Sequence, residues 1–134
     1  MYIKYISGLV LLLFCLMGST CLRPSGKFAM IYDKTWLHAV EEDSGGVEVY
    51  RPNTYAFPPS RGRTGFSLSA DGTFRLYSIA PTDGLEEHQG RWELINKDLL
   101  RISFAGEQPE GFDLIVVSFT PELLKIRKNA TKAP

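Results

Sequence analysis

Short runs of alternating apolar and polar residues, each cut off by a turn signal, constrain this chain more than any other feature of its sequence. Residues 64–69 put Phe66 and Leu68 on one face, residues 73–79 put Phe74 and Leu76 on one face, and Asp71–Gly72 lies between. Successive strand side chains point to opposite sides, so this pattern buries one face of each run. Asp-Gly supplies the tight turn, and the four apolar residues make the cross-strand pairs that stabilise a hairpin. The same grammar recurs at 34–42, 47–51, 87–95, 99–104, 112–119 and 123–128, with Asp43–Ser44–Gly45–Gly46 and Asn96–Lys97–Asp98 among the turns. Residues 112–119 are apolar on both faces at Ile115, Val116 and Val117, which predicts a strand covered on both sides. No stretch keeps a convincing amphipathic helical period.

About eight short strands with a turn roughly every ten residues predict an all-β fold. A small antiparallel up-and-down barrel is favoured, because closure hides the edges that so small a sheet cannot otherwise cover; an open β-sandwich is the alternative. Gly90–Arg91–Trp92–Glu93–Leu94, a turn, and Leu99–Leu100–Arg101–Ile102 resemble the repeated unit of bacterial lipocalin-like domains, in which a Gly-x-Trp strand pairs with a Leu-x-Ile strand. In true lipocalins that motif lies on the first strand, whereas here it comes late and Trp36 follows Thr35. The resemblance spans about residues 36–128 and implies a barrel with a shallow ligand cavity. It carries over no ligand-binding residue, since the family's motif supports the barrel floor.

The N-terminus sets the compartment. Lys4, an apolar run over residues 6–17, the small residues Gly18, Ser19 and Thr20, and then Cys21 read as an export signal over residues 1–20. The run is short for a bilayer span, which takes about 20 residues, although residues 5–22 taken together leave an uncleaved anchor open. Cys15 would leave with the signal, so no disulfide can form within the domain that remains. A single cysteine after an export signal resembles the lipid-attachment site of bacterial lipoproteins, which implies a diacylated Cys21 and a cell-envelope location. Ordinary cleavage to a soluble periplasmic or secreted form is the other possibility. Residues 21–33 read as a tether, 34–128 as the β domain and 129–134 as a disordered tail.

Without residues 1–20 only Lys4 is lost from 15 basic and 15 acidic side chains, so the remainder carries one net negative charge. Nucleic-acid binding is not expected, since it calls for a basic excess or face. A metal site is not expected either: His38 and His88 are the only histidines, and zinc takes three or four convergent ligands. No serine lies in a Gly-x-Ser-x-Gly elbow, and the adjacent pairs Glu41–Glu42 and Glu86–Glu87 would point to opposite sides of a strand. The chain therefore reads as a binding protein with no catalytic residues and no cofactor. The alternation stops over residues 49–63, where Pro52, Pro58 and Pro59 stiffen a loop bearing Arg51, Tyr55, Phe57, Arg61 and Arg63. The guanidinium fork grips carboxylate or phosphate bidentately. One expectation is that Arg51, Tyr55, Arg61 and Arg63 converge at the barrel mouth, with Tyr50 as a further wall, and bind a small amphiphilic or anionic ligand. The other is that these arginines pair with Glu41, Glu42, Asp43 and Glu48 and pin the loop, leaving it as a surface for an envelope protein.

Overall fold

The structure, a computed structural model, describes residues 26–131. The expected export signal, Cys21 and the first part of the expected tether lie outside those residues. Eight strands, β1 (Thr35–His38), β2 (Glu48–Pro52), β3 (Gly65–Leu68), β4 (Thr73–Ile79), β5 (Leu85–Leu94), β6 (Leu99–Phe104), β7 (Phe112–Thr120) and β8 (Leu123–Ala130), close into an antiparallel barrel. The fold class is the expected one. The central hairpin forms in the expected register, with Phe66 opposite Leu76 and Leu68 opposite Phe74. Gly72, at φ 93°, takes the left-handed position of the turn that joins them.

Strands β3 to β8 follow one another around the wall, and β8 closes on β2. The first hairpin is placed the other way about: β1, not β2, pairs with β3. Both of β1's neighbours run antiparallel to it. Hence β2 finishes at the end where β1 begins, called here the lower end, while β3 starts at the upper end. Residues 53–64 must therefore travel the length of the barrel along the outside of β1. They form a strap, fastened below by Asn53 N–H to the Thr35 carbonyl (2.9 Å) and above by His38 N–H to the Thr64 carbonyl (2.9 Å).

Inward positions form one apolar cluster around Trp36, Tyr50, Phe66, Phe74, Leu100, Ile102, Leu114, Leu124 and Ile126, with Glu48 and Lys128 at its edge. Phe74 stacks on Phe66 and meets Phe104 and Phe112 edge-on. Outward positions of β4, β5 and β6 carry Arg75, Glu87, Gln89, Arg91, Glu93 and Arg101, the reverse of a barrel whose wall faces lipid.

Four sequence expectations are corrected. The run 34–42 ends as a strand at His38, because Val40–Glu42 turn in a 3-10 helix that carries Val40 out to solvent. Strand β7 is not covered on both sides: a bulge at Val117 leaves that side chain exposed and shifts the parity, so Leu114, Val116 and then Phe119 face inward. Residues 129 and 130 belong to β8 and not to a tail, since Asn129 and Ala130 pair with Asp113 and Phe112. Residues 26–32 are no tether. Phe28 and Ile31 are buried, Phe28 packs on Phe119, and Tyr32 stacks on Trp92 at 5.2 Å. These residues cap the lower end. Apolar Phe28, Ile31 and Tyr32 supply there the enclosure that the strands leave open.

Candidate interaction surface

Arg51 and Arg63 leave the barrel outward and are held by two neighbouring carboxylates of the Val40–Glu42 turn. Arg63 donates to both oxygens of Glu41 (2.9 and 2.6 Å), to the His38 carbonyl (3.0 Å) and to the Pro58 carbonyl (3.1 Å). Arg51 donates to both oxygens of Glu42 (3.0 and 2.7 Å) and to the Glu122 carbonyl (3.2 Å). Each guanidinium also lies on a strap ring, Arg51 on Tyr55 at 4.8 Å and Arg63 on Phe57 at 4.5 Å, and those two rings meet edge-on at 5.0 Å. The result is a continuous stack, Glu42, Arg51, Tyr55, Phe57, Arg63, Glu41, laid along the wall. Turn geometry makes it possible: strand alternation would send Glu41 and Glu42 to opposite faces, whereas the 3-10 turn offers each to a different arginine.

The electrostatics follow from these contacts. Bidentate hydrogen bonding from Arg63 holds Glu41 down at about 2, well below the ordinary 4.5. Arg51 lowers Glu42 in the same way, and each arginine is raised in turn by its carboxylate. Only 8% of the Arg63 side chain is exposed, so its fork is spent on the protein itself.

Arg51, Tyr55 and Arg63 are thus brought into one stack, on the outer wall and not at the mouth where convergence was expected; Arg61 is exposed and makes no ion pair among the described residues. Tyr50 is not a loop wall at all. It is buried inside the barrel, stacked on His38 (4.9 Å) and tilted against Phe66 (4.8 Å). Its hydroxyl donates to Glu48 (2.7 Å) and accepts from Lys128 (2.6 Å), and Lys128 also pairs with Glu48 at 2.9 Å. Burial together with Glu48 pushes the Tyr50 hydroxyl far above its usual range. Burial alone would raise Glu48, but the bonds from Tyr50 and Lys128 outweigh it and the net shift is downward. His38 shares a contact of 2.8 Å with Asp43. Sequence reading offered Asp43 and Glu48 to the loop arginines, but Asp43 turns to His38 and the Val49 N–H and Glu48 to Tyr50 and Lys128; it missed Lys128 and this pairing. The signal that could have found them was period-two alternation, which puts Glu48 with Tyr50 and Lys128 with Leu124 and Ile126 on inward faces.

Above the strap's end lies an apolar rim. Val40, Ile79 and Leu85 are 60%, 47% and 72% exposed, and Ile79 sits opposite Leu85 in the β4–β5 ladder. A recess of about 180 Å³ joins the strap to this rim, lined by His38, Val40, Ser60, Gly62, Arg63 and Ile79 with Thr64. A larger open groove of about 370 Å³ runs over Gln89, Arg91 and Ser103 on the β5–β6 wall. Among the described residues no three His, Cys, Asp or Glu side chains gather as a metal ion would require. No protein-family model, curated protein or solved structure matches the chain.

Proposed function

We propose that this chain is an exported, non-enzymatic, lipocalin-like lipoprotein of the cell envelope that acts as a protein-interaction module. Its contact surface is the upper rim of Val40, Ile79 and Leu85 together with the adjoining strap end from Pro58 to Arg61. The observation that carries this reading is the barrel's inner face, where one contiguous cluster of aromatic and aliphatic side chains stands in the region that holds a lipocalin's ligand. What remains for recognition is outside. Arg51 and Arg63 are saturated by Glu42 and Glu41, so they stiffen the strap and are poor candidates to capture an anion. A preformed, rigid, partly apolar surface suits protein binding, because little order is lost on association.

A photo-crosslinking side chain at Leu85 in the native host tests this. A discrete protein adduct is expected from that position and from Ile79, none from Arg75 on the charged wall, and loss of the adduct in a Val40→Asp variant. Equal labelling at all three positions would refute the rim as a docking surface. The competing reading, a small ligand, has one specific support in the β5–β6 groove, whose volume falls within the ~300–1,000 Å³ of ligand pockets. Native mass spectrometry of protein from its host should then show a bound small molecule that is lost in Arg91→Ala.

A further inference from the structure

We infer that the lower end of the barrel rests on the bilayer surface, with Met30, Leu94 and Ile95 as its lipid-contacting side chains. The inference rests on the proposed membrane attachment through the N-terminal segment. Three observations carry it. First, these residues are 51%, 45% and 43% exposed although they are large and apolar. Second, they share one end. Met30 precedes Ile31 and Tyr32 in the lower cap, Tyr32 stacks on Trp92, and Leu94 and Ile95 follow Trp92 at the foot of β5. Lys27 ties the cap to the same β5–β6 turn through Asp98 (2.6 Å) and the Lys97 carbonyl (3.1 Å).

Third, the chain leaves too little length for that end to face elsewhere. Gly26 opens the cap, and Cys21 stands five residues before it in the sequence. Five residues span at most about 18 Å when fully extended. A diacyl chain on Cys21, or a retained apolar anchor over residues 5–22, therefore brings the cap within reach of the headgroup layer. Lys27, Lys34 and Lys97 at this end stand against Asp33, Asp71, Asp98 and Glu122 and leave no basic excess, so the contact is apolar and gains nothing from anionic lipid. In this orientation the upper rim is carried to the far side of the barrel, away from the membrane.

The test uses the full chain with one added tryptophan, in vesicles of neutral phosphatidylcholine containing shallow spin-labelled lipid. Native Trp36 and Trp92 are buried but lie beside this end, so the wild-type chain quenched in parallel supplies the background to subtract. Emission added by Ile95→Trp or Met30→Trp should fall about twofold or more with the quencher, as for a side chain at the headgroup boundary. Emission added by Leu85→Trp should not change. Equal quenching at both ends, or none in protein that sediments with the vesicles, overturns the inference and leaves the anchoring reading intact. A chain that fails to sediment overturns both. A concentration-dependent blue shift at Ile95→Trp without quenching means that a second copy covers the face, which also overturns it.

Discussion

Arg63 is the residue on which the outer surface turns. It joins the Val40–Glu42 turn, the end of β1 and the strap through four hydrogen bonds and one ring face. Removing it leaves the Pro58 carbonyl without this partner and Phe57 with a bare face. We expect Arg63→Ala to speed amide exchange in residues 53–64 by about tenfold or more, while the β4–β5 ladder keeps its protection; mass-resolved hydrogen exchange measures both. The pair also makes a pH dependence. Folded Glu41 stays ionised down to about 2, against 4.5 unfolded, so its contribution is complete above pH 4.5 and is lost as pH falls toward 2. Glu42, lowered by Arg51, adds in the same sense. The urea midpoint should therefore decline through that window, and decline less steeply in Arg63→Ala. Pairing of the loop arginines with Glu41 and Glu42 was legible in the sequence as one of two readings. Which glutamate met which arginine was not, because that depends on a 3-10 turn where alternation predicted strand.

At the scale of elements, β1 is four residues long and yet closes the barrel, flanked by β2 and β3. Its seam with β3 admits no side chain at Gly65, where a Cβ would lie 2.2 Å from the Trp36 carbonyl oxygen. Backbone cannot step aside as a flexible side chain can. Gly65→Ala should therefore cost about 1–3 kcal/mol or more, read as a lower urea midpoint at unchanged slope. Gly84 is the contrasting case. Nothing lies within 4 Å of its Cβ position and its φ is not positive, so Gly84→Ala should stabilise by about 0.4–1 kcal/mol through the unfolded chain. Hairpins were the most readable parts of the sequence, since both the turn and the pairing are local. The order of β1 and β2 was not readable, because choosing which strand meets β3 is a contact between distant residues that alternation does not encode. The bulge in β7 was hidden for a similar reason: one extra residue changes the parity of everything after it, and Val117 looks no different from its neighbours.

For the whole molecule, closure of the lower end depends on residues that composition marked as a tether. Ile31 is fully buried and its carbonyl accepts the Trp36 indole N–H at 3.0 Å. Ile31→Ala should cost about 2–5 kcal/mol, a core-sized loss from a segment that forms no named strand, checked by chemical denaturation. Short motifs such as Arg-Pro-Ser-Gly disguised the cap, and only Phe28 and Ile31 hinted at it. The placement of β1 has a mechanical consequence. A chain held at its N-terminus and loaded from the opposite pole would draw β1 lengthwise between its two antiparallel neighbours. Both ladders would then bear tension together in shear, so rupture demands breaking them at once and not peeling them bond by bond. With the strap buckled over its outer side, the shortest strand becomes the rivet of the assembly, and single-molecule pulling along that axis should meet its highest force when it shears.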